Sequence, residues 1–170
     1  MRYNKIRKMD ISNGPGVRVS IFFQGCAFHC KGCFNEETWD FNGGKEFTDE
    51  VINHILELCD NDVIKGLSIL GGEPLHPKTI EGTTLLAKAF REKFKDTKTI
   101  WLWSGYLFDE YIKNQEVVNY LDVIVDGQFE IAKSSPLLKY KGSSNQRVID
   151  VKKSLKNEKI VLYDEAYAYE

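Results

Sequence analysis

The sequence predicts an α/β fold built on a mostly parallel sheet. Short apolar runs alternate with amphipathic helical stretches along most of the chain, a pattern that implies parallel βαβ units with right-handed crossovers. The 170 residues suit about one domain, read here as a single domain over 1–170, and 42% apolar with 12% aromatic residues is enough to bury a core. The length falls short of a closed eight-stranded (β/α) barrel, which needs roughly 250 residues.

The elements follow in order. VRVSIFF (17–23) places Val17, Val19, Ile21 and Phe23 on one face and reads as a strand that runs straight into Gly25. After an irregular Gly-Gly stretch, residues 48–59 read as a helix. Thr48 is its N-cap, Asp49 and Glu50 suit the positive end, and Val51, Ile52, Ile55, Leu58 and Cys59 form the apolar stripe. GLSIL (66–70) is a short buried strand ending at Gly71–Gly72. A helix is expected over 79–94, burying Leu85, Leu86, Ala89, Phe90 and Phe94. TIWLW (99–103) and DVIVD (122–126) read as strands on either side of a helix over 107–120, and weaker strands are expected at 146–151 and 159–163. That makes about five to six strands.

Charge and targeting exclude several classes. With 23 Lys+Arg against 25 Asp+Glu the net charge is −2, unlike a generic nucleic-acid binder, for which a basic domain is typical. The basic start MRYNKIRKMDISNG carries no apolar leader or cleavage site, and no run approaches a membrane span. The expectation is a cytoplasmic chain with no membrane and no nucleic-acid partner, its thiols reduced. Residues 133–159 hold eight basic residues against Asp150 and Glu158, a solvated face or a docking surface for an acidic or phosphate-bearing partner.

Three of the four cysteines fall within eight residues, as Cys26-x3-Cys30-x2-Cys33, immediately after the first strand. One loop can wrap three thiolates round a polynuclear centre, and a 4Fe–4S cluster needs four ligands, so three would leave an iron open to a substrate or cofactor. Zinc also accepts thiolates but wants a closed tetrahedral set in structural sites. Fourth candidates are poor, since His29 adjoins Cys30 and Cys59 completes an apolar helical stripe as a core thiol. At the end of the next strand stands Gly71-Gly72-Glu73-Pro74. Its glycines allow positive φ and close backbone approach, and Glu73 offers a carboxylate suited to an ammonium group.

The cysteine loop and the GGEP turn together resemble the radical S-adenosylmethionine (SAM) superfamily. Within it, Gly14-Pro15-Gly16-Val17-Arg18 and Cys33-Phe34-Asn35 through Thr38-Trp39 are similar to the glycyl-radical activating enzymes, with Phe34 where tyrosine is usual. Trp103-Ser104-Gly105-Tyr106, Val125-Asp126-Gly127 and Gly142-Ser-Ser-Asn-Gln-Arg147 look like the anaerobic ribonucleoside-triphosphate reductase activating family, so the likeness runs from about residue 3 to 151. Residues 152–170 extend beyond that family's usual end.

The resemblance implies a partial, open barrel. It implies one 4Fe–4S cluster per chain on Cys26, Cys30 and Cys33, with SAM on the open iron. Gly32, Cys33 and Phe34 would approach SAM beside the cluster, while Gly71, Gly72 and Glu73 position its methionine end. No side chain need act as a general acid or base. The implied partners are the large subunit of the anaerobic reductase, whose glycine would become a radical, and a flavodoxin-type or other one-electron donor. Other readings are an activase for a different glycyl-radical enzyme such as pyruvate formate-lyase, a small-molecule enzyme like the deazaguanine-forming synthases, and a non-catalytic zinc or ferredoxin-like module. The Gly142–Arg147 segment favours the reductase activase.

Overall fold

A computed structural model describes residues 1–164. Among them, seven strands form one open sheet: β1 (Arg2–Asp10), β2 (Val17–Phe23), β3 (Lys45–Glu46), β4 (Ile64–Gly71), β5 (Thr99–Ser104), β6 (Val123–Asp126) and β7 (Arg147–Asp150). Their spatial order is β3-β1-β2-β4-β5-β6-β7. Pairings among β2, β4, β5 and β6 are parallel, whereas β1–β2, β1–β3 and β6–β7 are antiparallel. The α/β expectation stands and the sheet is open, as expected, but it is mixed rather than mostly parallel and has seven strands rather than five to six.

Among the described residues the α-helices are α1 (Asp49–Cys59), α2 (Ile80–Phe94) and α3 (Val151–Asn157). One face of the sheet, carrying Val19, Ile21, Leu67, Ile69, Ile100, Leu102 and Ile124, forms a single core with Ile55 and Cys59 of α1 and Leu86 and Phe90 of α2. The Thr48 side chain caps α1 by accepting from the Val51 amide, as its sequence suggests. The strands' other face presents Arg18, Ser20, Phe22, Ser68, Trp101 and Trp103, and it is toward this side that the cleft described below opens.

The buried Arg18 explains the Gly14-Pro15-Gly16-x-Arg18 entry to β2. Its guanidinium donates to Ser68 Oγ (2.8 Å), Thr99 Oγ1 (3.0 Å) and the carbonyls of Leu67 (3.0 Å) and Thr99 (3.1 Å), and it lies over the Trp101 ring. A Cβ on Gly14, whose φ is +104°, would stand 2.9 Å from the Arg18 side chain. Burial lowers the Arg18 pKa to about 10, which leaves it cationic at neutral pH.

Several sequence expectations are corrected. The stretch 107–120 is not one helix but a turn followed by two 3₁₀ segments, Ile112–Asn114 and Glu116–Tyr120. Extended backbone at Gln115 (ψ 142°) separates them, and Val117–Val118 with Asn114 and Asn119 are weak helix formers. Leu85 is half exposed, and Ala87 takes the buried place on α2. The strand over 159–163 reduces to a bridge between Ile149 and Leu162 supported by two backbone bonds. β1, β3 and α3 were not expected.

Candidate functional site

β2 and β4 run in parallel register with Phe23 opposite Gly71, so the loops that follow them leave the same edge of the sheet. Backbone bonds then stitch those loops together. Gly72 N–H donates to Phe23 O (3.0 Å) and Glu73 N–H to Gly25 O (2.8 Å). The returning segment closes the other side, with Gly25 N–H on Thr38 O (2.6 Å) and Cys26 N–H on Trp39 O (3.1 Å). A Cβ on Gly72 would lie 2.3 Å from the Gly25 carbonyl oxygen, so only glycine permits this approach. The cysteine loop and the GGEP turn are thus one folded unit.

That unit forms a wall of a cleft of about 570 Å³ at the C-terminal ends of the parallel strands. Cys26, Cys30, Cys33, Phe34, Gly71, Gly72 and Glu73 all line it. Gly32 does not; its φ is +77°, and a Cβ there would meet Ile131 at 2.5 Å. Cys59 is fully buried on α1, away from the cleft, as a core thiol. Burial pushes its pKa up to about 12.

The three loop thiols are free and partly exposed. Burial raises the pKa of Cys26 and Cys30, opposed at Cys26 by the Phe28 and His29 amides and at Cys30 by the Phe129 amide. The Asn35 amide donates to Cys33 Sγ at 3.3 Å. Among the described residues no three His, Cys, Asp or Glu side chains are drawn together as the ligand set of a metal ion; the thiols face the cleft from three points of one loop. A thiolate-bound group fits this wall on two observations. Each sulfur has a backbone donor beside it, and Trp39 Nε1, buried at the cleft, has no acceptor among the described residues.

Glu73 is 1% exposed and accepts three hydrogen bonds, from Leu75 N–H (2.9 Å), Ser104 Oγ (2.8 Å) and Gly105 N–H (2.6 Å). Burial dominates and pushes its pKa up to about 7. The Trp103–Tyr106 stretch therefore anchors Glu73 through Ser104 and Gly105. Gly105 also receives Phe28 of the cysteine loop, whose ring meets Tyr106 edge-on at 4.9 Å.

Sequence reasoning missed the β1 wall of the cleft. Lys5 and Arg7 reach over the Phe22 ring (4.8 and 4.9 Å) and give that side a positive lining. It also missed Gln128 and Phe129 after β6, opposite Cys30 and Phe34. The alternation of Lys5, Arg7 and Phe22 across neighbouring strands was the available signal, and it needs the β1–β2 register to be seen.

Residues 12–149 match the family model of the 4Fe-4S single cluster domain. Similar proteins include the anaerobic ribonucleoside-triphosphate reductase-activating proteins of Enterobacteria phage T4 (40% identical over 149 residues, 87% of this chain and 93% of that protein) and Escherichia coli strain K12 (39% over 151 residues, 87% and 97%). That of Vibrio cholerae is 38% identical over 149 residues, 86% of this chain and 96% of its own length. On the cluster domain and this near-full-length similarity, the chain belongs to the family of anaerobic ribonucleoside-triphosphate reductase-activating proteins.

Proposed function

We infer that this chain is a radical SAM activase that installs a glycyl radical on an anaerobic ribonucleoside-triphosphate reductase. The observation that supports this best is the stitching of the GGEP turn to the cysteine loop, which puts three thiols and the GGEP backbone on one wall of a cleft of about 570 Å³. Cys26, Cys30 and Cys33 would hold a 4Fe–4S cluster and leave one iron open. Bound there and reduced by an external one-electron donor, such a cluster would supply the electron for reductive cleavage of SAM, the chemistry that hydrogen-atom removal from the reductase glycine requires.

The chain's own part is binding, orientation and exclusion. Gly71 and Gly72 bring backbone close to the methionine end of SAM. Glu73, held by Ser104 and Gly105, sets a carboxylate below them for the ammonium group. Cys59 lies in the core and supplies no fourth ligand, which disfavours a four-thiolate electron carrier. The open sheet is taken as a partial barrel whose unsealed side admits a glycine-bearing loop.

The test is anaerobic mixing of the iron-loaded protein, SAM and a reductant with the reductase, followed by electron paramagnetic resonance. A glycyl-radical signal is expected with the reductase, and it should vanish with Cys30→Ala. A signal with pyruvate formate-lyase alone would overturn the assignment of partner.

A further inference from the structure

Cys30 is faced from across the cleft by groups that do not belong to the cysteine loop. Its Sγ lies 3.9 Å from Oε1 of Gln128, at the long end of a sulfur contact. Gln128 sits in the turn that leaves β6, and that turn is clamped from behind. Asn145 Nδ2 donates to the Gln128 carbonyl (2.7 Å) and Gln146 Nε2 to the Gly127 carbonyl (2.9 Å). Gln146 Oε1 in turn accepts from the amides of Gly142 (2.9 Å) and Ser143 (3.1 Å). The polar stretch before β7, which the function above leaves unused, thus fixes where Gln128 stands.

A thiol can donate to Oε1, whereas a ligating thiolate can only accept. A primary amide carries its acceptor and its donors on one rotor, so a half-turn of the Gln128 amide presents Nε2–H to the sulfur. Hydrogen bonds to cluster sulfurs are one of the protein's levers on reduction potential: they draw negative charge off the centre and make it easier to reduce. We propose that Gln128, positioned by Asn145, donates to the Cys30 sulfur when it ligates a cluster and so raises that cluster's reduction potential. The proposal rests on the cluster assignment above.

Gln128 is exposed at the cleft, so its substitution leaves the core intact. The full chain, Gln128→Leu, Gln128→Glu and Asn145→Ala are reconstituted anaerobically with iron and sulfide, without SAM. Iron content and the midpoint potential, followed by the paramagnetic signal of the reduced cluster, are then measured. Equal iron in all four is expected. The potential should fall in Gln128→Leu, fall further in Gln128→Glu, where a carboxylate faces the thiolate, and fall less in Asn145→Ala. Full iron with an unmoved potential in Gln128→Leu and Gln128→Glu overturns the proposal and leaves the cluster assignment standing. Loss of iron with the potential of the residual cluster unchanged also overturns it, because the role is then structural. An unaltered chain that takes up no iron overturns both.

Discussion

Glu73 shows how far a single side chain can be read from its sequence context. The GGEP motif marks it as a carboxylate at a ligand, but its oxygens are already engaged by Leu75, Ser104 and Gly105, so its first effect is to tie the end of β4 to the end of β5. Burial gives that tie a pH dependence. The unfolded chain releases the Glu73 proton near the ordinary glutamate value of 4.5 and the folded chain at about 7, so between these the folded state holds more protons and stability falls as pH rises. The metal-free protein should lose about 3 kcal/mol from this group between pH 4.5 and 7, at 1.36 kcal/mol per pKa unit. Denaturant unfolding across that range checks it: Glu73→Gln should flatten the slope, and an unchanged slope would place the titrating group elsewhere. Arg18 was legible only as part of a motif. That it is fully buried, satisfied by four strand acceptors, depends on Ser68 and Thr99, which lie 50 and 81 residues away in sequence.

The elements were legible where local periodicity and caps decide them, as in α1, α2 and the parallel strands. β1 escaped because Lys5 and Arg7 alternate with few apolar residues, and their stems and cations pack on Phe22 of the neighbouring strand. The 107–120 stretch misled because its apolar spacing is helical while Phe108 N–H is taken by Asp126, a partner outside the segment. The junction of the cysteine loop with the GGEP turn was likewise invisible to spacing, since it depends on the β2–β4 register. That junction makes a sharp prediction for Gly72→Ala. The added methyl group meets the Gly25 carbonyl, an overpacking cost of about 1–3 kcal/mol, and pushes the cysteine loop off the turn. Thermal unfolding should register the loss, and hydrogen exchange should quicken at Gly25 and Cys26 while α2 stays protected. Uniform loosening of the whole sheet would show that the two loops are not a local unit.

At the scale of the molecule, the arrangement is a one-sided one. Helices and 3₁₀ segments fill one face of the open sheet, and the opposite side keeps a cleft whose walls come from loops after β2, β4, β5 and β6 together with β1. No helix among the described residues is long and apolar enough to cross a membrane. The extension beyond residue 151 has a structural part in this: Ser154 of α3 is buried, Ile160 packs against the core, and Tyr163 sits edge-on to Trp101 at 5.0 Å. The expectations for residues 165–170 lie outside the described residues. Three thiols on a cleft, with the fourth cysteine locked in the core, are the feature on which the functional reading turns. Its most direct measurement is the yield of 5′-deoxyadenosine when the anaerobically reconstituted protein is given dithionite and SAM. Four irons per chain with stoichiometric or greater 5′-deoxyadenosine, abolished by Cys26→Ala and retained by Cys59→Ala, is the expected result. Iron bound without SAM cleavage, or cleavage that survives Cys26→Ala, would contradict it.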